Sequence, residues 1–580
     1  MIKKLARYIG EFKKQTILTP VAMIGEVGLE VTIPLLMARI VNVGVMNADV
    51  AYIVKIGLIM IGMAVVSLTF GALSARLAAT AAAGFARNIR EALFNKVLDF
   101  SFANVDKFST ASLVTRLTTD VNNMQNLFMM AIRMAIRAPT MLILAVVMAI
   151  TINAELAVIF MLATPVLAAI MALIMFNAHP RFVKMLKEYD RMNADVQEDL
   201  IGMRVVKAFV RENHENEKFR EAAGRVRDMQ LAAEKIVIWS MPAMQFVMYG
   251  CMLALAWFGG VKVIGGGMLT GDLMSFLTYT MQILMSLMML GMVFIMFVIN
   301  RASFNRIVEV LDEMPGIVNP VGGGLTEVPD GGVEFEDVSF RYSSTSEEST
   351  LKNISFTIRP GEIVGVMGAT GSAKTTLVQL IPRLYDVQEG SIFVGGHDVR
   401  DYNLKALRDA VAMVLQKNVL FSGTIRENLR WGNEHATDEE IAEACRIAQA
   451  HEFIISFPKG YDTDLGQGGV NVSGGQKQRL CIARALLKQP KIMILDDSTS
   501  AVDTATDQLI RSGFKKRLSG MTTIIIAQRV ASVMDADKII VLDEGRVSDI
   551  GTHRELMQRS EIYREVAISQ QKGVEDYAAN

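Results

Sequence analysis

The sequence contains little that would point to a metal or disulfide protein: three cysteines in 580 residues, Cys251, Cys445 and Cys481, stand far apart. They have neither metal-ligand nor disulfide spacing, which fits a reducing compartment and an uncharged packing role. An excess of charge is missing too. Lys and Arg total 59 against 60 Asp and Glu, and a net charge of −1 gives no global attraction to nucleic acid, so no nucleic-acid partner is expected. What is abundant is apolar surface: 51% of residues are hydrophobic and the mean hydropathy is +0.32. That is too apolar for an ordinary soluble enzyme, while 21% charged residues is too many for a chain lying wholly in a bilayer. A chain of this length also exceeds one hydrophobic core. The expectation is therefore part membrane, part water-soluble.

Apolar runs long enough to cross a bilayer recur at 17–41, 53–76, 131–152, 155–178, 236–264 and 272–299. The connections at 42–52, 153–154 and 265–271 lack Lys and Arg altogether, whereas Lys3, Lys4, Arg7, Lys13 and Lys14 precede the first run. The other two connections are long and basic. By the positive-inside rule both termini and the second half lie in the cytoplasm, and the chain is a multi-pass protein of the cell membrane, with the lipid bilayer as a partner. The first run carries Glu26 and Glu30 and no small-residue cleavage site, so it reads as a retained span rather than a signal peptide. Helical periodicity continues from the spans into the long connections. Two mixed stretches, Arg116–Gln125 and Met203–Arg211, are the expected turning points that dock on a cytoplasmic domain. Spans, helical extensions and turning points make 1–312 an all-α transmembrane domain. A Pro- and Gly-rich linker follows at 313–332, then an α/β domain over 333–569 and a polar tail at 570–580, expected to fray.

The strand Ile363–Met367 runs into Gly368-Ala369-Thr370-Gly371-Ser372-Ala373-Lys374-Thr375, with Thr376 opening a helical pattern. Strand, Gly-rich loop and helix are the context of a phosphate-binding loop. Backbone N–H groups would cradle a phosphate, Lys374 would neutralise its charge and the Thr375 hydroxyl would ligate Mg²⁺. Ala373 stands where the motif expects Gly, which should weaken binding without abolishing it. The run Ile492–Leu495 ends in Asp496, placed to hold Mg²⁺ beside the phosphates.

With Val472-Ser473-Gly474-Gly475-Gln476 upstream of that strand, the chain resembles the ATP-binding-cassette (ABC) exporters, one six-helix membrane domain fused ahead of one P-loop cassette. The resemblance implies ATP and Mg²⁺ as cofactors and a second half-transporter chain as partner. It also implies roles residue by residue. Tyr342 would stack on adenine, and Gln416 would sense Mg²⁺ and face the membrane domain. Ser473, Gly474, Gly475 and Gln476 would face the ATP held by the opposite cassette, and Asp503 would couple the two sites. The stretches Arg116–Gln125 and Met203–Arg211 would be the coupling helices.

Against the family pattern, Asp497 replaces the catalytic Glu, Gln528 replaces the switch His, and Gln467 replaces a Glu before the signature; Val472 for Leu is mild. An Asp carboxylate falls short of the attacking water, and Gln cannot carry an imidazole's charge or proton. Three of these departures, Ala373, Asp497 and Gln528, lie in the chain's own phosphate-loop half, while the half lent to a partner is sound. The expectation is a heterodimer whose partner supplies the competent Glu and His. A slow homodimer is the alternative.

The transported solute is the least specified part. Met281, Met285, Met288, Met292 and Met296 lie along one face of the last span, with Met241, Met244, Met248 and Met252 in similar rhythm on the fifth. A flexible thioether stripe suits varied apolar solutes, and equally suits lipid contact or helix packing. Glu26 and Glu30 are costly in hydrocarbon unless they face water, a partner or a cationic solute. Arg133 and Arg137 are expected to snorkel to headgroups. ATP-driven export of small amphipathic or hydrophobic compounds, multidrug-type, is the preferred reading. Lipid or peptide export and an ATP-gated regulatory membrane protein are the alternatives, with the lack of an added peptidase domain weighing against peptide processing.

Overall fold

The computed structural model describes residues 2–342, 348–497, 504–517 and 520–578. It divides into two units, Met1–Leu98 with Ala111–Glu313, and Asp99–Thr110 with Met314–Asn580.

The first unit is helical because hydrocarbon offers no water to satisfy backbone N–H and C=O groups. Among the described residues, six helical stretches are long and apolar enough to cross a membrane: Lys4–Val45, Val50–Leu98, Thr110–Ile152, Ala154–Ala208, Glu212–Ile264 and Thr270–Asp312. Each contains one of the six apolar runs read from the sequence. The helix Ala154–Ala208 has 55 residues, about 80 Å at helical rise, so more than half of it lies outside a hydrocarbon core. Buried polar side chains tie spans 1 and 6 together. The Tyr279 hydroxyl donates to the Val31 carbonyl at 2.7 Å and the Ser275 hydroxyl to that of Pro34 at 2.6 Å.

Two sequence expectations are corrected in this unit. Arg116–Gln125 is not a turning point. It lies inside the third helical stretch, where Arg306 makes a two-pronged contact with the fully buried Asp120, and Arg116 donates to Glu309 at 2.8 Å. Charges that read as a docking turn are spent on the last helix. Arg137 does not snorkel. Its guanidinium reaches Glu26 at 2.5 Å and Glu30 at 2.6 Å, because two carboxylates in an apolar span bind the nearest cation more strongly than headgroups can.

The methionines divide as well. Met244 is buried, and Met248 and Met288 pack with it around Leu167 and Leu284, whereas Met281, Met285 and Met292 are exposed in this chain. The expected reversal at Met203–Arg211 does occur, at Phe209–Arg211 between the helices Ala154–Ala208 and Glu212–Val237.

In the second unit, strands β1 (Val333–Phe340), β2 (Leu351–Ile358), β3 (Ile363–Gly368), β4 (Glu389–Val394) and β5 (His397–Asp398) come first. After them lie β6 (Val411–Val414), β7 (Gly423–Thr424), β8 (Asp464–Leu465), β9 (Ile492–Asp496), β10 (Thr522–Ile526), β11 (Lys538–Asp543) and β12 (Arg546–Gly551). One sheet runs β2-β1-β4-β5 and the other β12-β11-β3-β10-β9-β6, the latter parallel except for β12. β7 and β8 form a separate pair. Strands β3 and β9 carry apolar runs, and β10 is buried along its whole length with Ile524–Ile526 at its end, because both faces of a parallel sheet are covered. The final helix runs Glu561–Ala578, through the stretch read as a polar tail.

The piece Asp99–Thr110 of this unit is where the chain reverses. Ser101 caps the helix Phe102–Phe108 in a capping box with Asn104, and Ser109 ends it at φ +56°. Asn104 also accepts from the Gly316 N–H at 3.0 Å and donates to the Met314 carbonyl at 3.1 Å. Tyr385 donates to Asp106 at 2.8 Å, and its ring meets Phe102 edge-on.

Candidate active site

Strand order builds the site. β10 lies between β3 and β9, with Ile526 paired to Val366 on one side and to Asp496 on the other, and β6 flanks β9. The loops after β3, β6, β9 and β10 therefore open at one carboxyl edge, the usual ligand edge of such sheets. Gln416 follows β6, Asp496 and Asp497 end β9, and Gln528 follows β10. Gln416 is exposed there.

The loop after β3 closes tightly. A Cβ on Gly368 would sit 2.2 Å from the Leu542 carbonyl oxygen, so only glycine fits. Ala373 adopts φ +69°, ψ +24°, the left-handed conformation at the N-terminus of the helix Lys374–Gln379. A Cβ there costs about 1–2 kcal/mol, which gives the Gly-to-Ala departure a specific energetic meaning. Ala373→Gly is expected to raise stability by about 0.5–1 kcal/mol, the relieved strain being offset in part by the freer unfolded chain. Thermal unfolding of nucleotide-free protein measures it, and a lowered melting temperature would contradict the strain argument.

Lys374 Nζ donates to the carbonyls of Gly368 and Ala369, each at 2.8 Å, and to the Ser372 hydroxyl at 3.3 Å. Burial pushes its pKa down, opposed by the charges of Asp496 and Asp497. Asp496 is 1% exposed; its Oδ1 accepts from the Thr375 hydroxyl at 3.1 Å and its buried Oδ2 has no hydrogen-bond partner. Its pKa is raised by burial first, with Asp497 adding to the rise while Thr375 and Lys374 oppose it. A buried carboxylate oxygen without a proton donor, beside a hydroxyl, is a set that a hard divalent cation satisfies.

Asp497 sits at φ +46°. Its N–H donates to the Ile526 carbonyl at 3.0 Å, and its own carbonyl accepts from Gln478 at 3.2 Å. Its carboxylate accepts from Gln528 Nε2 at 3.2 Å, so the two hydrolysis-step departures meet each other. Burial raises its pKa, and Lys374 and Arg529 oppose the rise. Tyr342 is half exposed, its hydroxyl 2.9 Å from that of Thr376 and its ring edge-on to Tyr385.

Ser473 caps the helix Gly474–Leu487 in a capping box with Gln476, leaving Ser473 and Gly474 exposed at the helix start. Gln467 lies in a short turn before it, next to the left-handed Gly468 and Gly469. Asp503 lies outside the described residues. Two residues with no sequence signal emerge. Gln478, 1% exposed, supports the Asp497 carbonyl, and Gln570 grips the switch loop by donating to the Gln528 carbonyl and accepting from the Val530 N–H, both at 2.8 Å. Gln570 opens the stretch that reads as a polar tail, so no motif marks it.

Residues 16–303 match the ABC transporter transmembrane region, and 351–500 match the ABC transporter family. The uncharacterised ABC transporter ATP-binding protein YfiB of Bacillus subtilis is 37% identical over 550 residues, covering 95% of each chain. This chain is an ABC exporter half-transporter. The structure of a bacterial Atm1-family ABC exporter with ATP bound superposes with a TM-score of 0.84 at 25% identity, covering 96% of this half-transporter and 99% of that chain. An ATP-dependent lipid A-core flippase of Syntrophus aciditrophicus is 34% identical over 482 residues, covering 82% of this chain and 79% of its own. The half-transporter is thus a multi-pass membrane protein with a cytoplasmic cassette that drives export with ATP. ATP supplies the bond whose hydrolysis powers the cycle. Lys374 and the loop Gly368–Ala373 would hold its phosphates, and Thr375 and Asp496 would hold the accompanying Mg²⁺.

Proposed function

We propose that this half-transporter is the degenerate-site member of a heterodimeric, multidrug-type exporter. Three features of its own phosphate-loop half support the reading: the strained Ala373, the short Asp497 and the neutral Gln528. The observation that carries it is the Asp497–Gln528 hydrogen bond. A carboxylate held by a neutral amide lacks the proton relay that an imidazole provides, and its shorter stem leaves it farther from an attacking water. ATP is therefore held in this site for long periods, while Ser473, Gly474, Gly475 and Gln476 complete the partner's competent site. Tyr342 and Thr376 line the adenine and phosphate side, Gln416 senses Mg²⁺, and Asp503 links the two sites.

The solute is a small amphipathic compound, and a cationic one is favoured. Glu26 and Glu30 share the guanidinium of Arg137, and a buried oxygen of Glu26 is left without a hydrogen-bond partner, an acceptor that a cationic solute could engage. The exposed Met281, Met285 and Met292 offer an adaptable apolar face, with Met288 packed behind them. Lipid export is the second reading, favoured by the flippase relative. Purified alone, this chain is expected to hydrolyse ATP at least tenfold more slowly than after co-purification with its partner chain. Brisk turnover and transport by the single polypeptide would overturn the heterodimer.

A further inference from the structure

The first unit contains a cavity of about 340 Å³ lined by none of Glu26, Glu30, Arg137 and the exposed methionines of the last span. Its walls come from Leu5 and Ile9 of the N-terminal stretch, Phe85 of the second span, Phe128 and Ala131 of the third, and Phe297 of the last. It is more than twice the size of the apolar cavity of about 150 Å³ that stays dry and takes up benzene. Water gains little inside it. Of its two polar lining residues, Asn300 spends its amide on the Met296 carbonyl at 2.8 Å. The other is Arg301, which is exposed and makes no hydrogen bond or ion pair among the described residues. Of the neighbouring cations, Lys4 pairs with Asp312, while Arg7 donates to the neutral Tyr8 hydroxyl and does not line the cavity.

The lining residues also fix the depth. Leu5 and Ile9 precede the first apolar run, Phe85 follows the second, Phe128 precedes the third, and Phe297 and Arg301 stand at the end of the last. All of these are cytoplasmic ends, so the cavity opens at the inner leaflet, where anionic headgroups concentrate. An apolar slot lined at its mouth by the Arg301 guanidinium is complementary to a chain with an anionic head. We propose that the cavity holds one acyl chain of an anionic phospholipid of the cytoplasmic leaflet, with its phosphate on Arg301. This site shares no residue with the Glu26–Arg137–Glu30 cluster and does not depend on the transported solute.

Native mass spectrometry of the purified protein, incubated with phosphatidylglycerol or with phosphatidylcholine of the same acyl chains, tests the site. The wild type should retain phosphatidylglycerol at least fivefold better. Arg301→Gln should cut that retention at least fivefold and leave phosphatidylcholine unchanged, and Ala131→Phe, which fills the slot, should remove both. Undiminished phosphatidylglycerol binding in either variant would overturn the proposal, as would an absence of preference in the wild type. If Ala131→Phe does not fold, the rise in melting temperature caused by phosphatidylglycerol decides: a rise lost in Arg301→Gln supports the site, and an equal rise refutes it.

Discussion

Asp497→Glu combined with Gln528→His is expected to raise ATP turnover by the purified chain on the order of 100-fold, read as phosphate release at saturating Mg-ATP. The magnitude follows from geometry. A reacting group displaced by about an ångström costs on the order of 100-fold, and general base catalysis contributes at least that much. The pair has to change together, because Gln528 donates to the Asp497 carboxylate at 3.2 Å. A lone Glu would remain tethered to the amide, and a lone His would hold a carboxylate still one methylene short. Each single variant should gain less than tenfold. Asp497 also sits at φ +46°, which Asp tolerates better than Glu does, so the double variant should lose about 1 kcal/mol of stability while it gains rate. A double variant as slow as the wild type would show that the hydrolytic defect lies elsewhere, with Ala373 as the next suspect.

The second large effect is on stability. Arg137→Gln should lower the unfolding free energy by about 3 kcal/mol, the low end of the range for breaking a buried ion pair. The low end applies because the Glu30 side chain keeps 36% of its surface exposed, whereas that of Glu26 keeps 16%. The loss comes mainly from two carboxylates left without a cation in an apolar span. Neutralising them as well, in Arg137→Gln with Glu26→Gln and Glu30→Gln, should therefore recover most of it. Thermal unfolding of the detergent-solubilised protein compares the three chains. If the triple variant is no more stable than the single one, the charges are not what the cluster contributes.

Much of this was legible along the chain, and the reasons are local. Each apolar run is contiguous, so all six spans could be counted, and the phosphate loop, Asp496 and the signature helix are each written in a few adjacent residues. Partnerships across long separations were not. Arg137 looked like a headgroup anchor because the carboxylates it binds lie more than a hundred positions earlier. Arg116 and Asp120 read as part of a docking turn because Arg306 and Glu309, which claim them, belong to the last helix. The true reversal at 99–110 was signalled only by the Ser101–Asn104 cap and by Ser109, weak marks within a long helical pattern. Gln478 and Gln570 carry no signal at all, since an amide that braces a backbone carbonyl reads like any polar surface residue.

The composition of the second unit bears on how such proteins exchange parts. Because Asp99–Thr110 belongs with Met314–Asn580, the cassette as a physical object is not one continuous stretch of chain. A recombination event with one breakpoint near residue 314 would bring in a foreign Tyr385 and linker against a resident Asn104 and Asp106. Inheritance of a working cassette therefore takes two breakpoints more in the first half of the chain. A lineage can replace its engine wholesale only if the short helix travels with it.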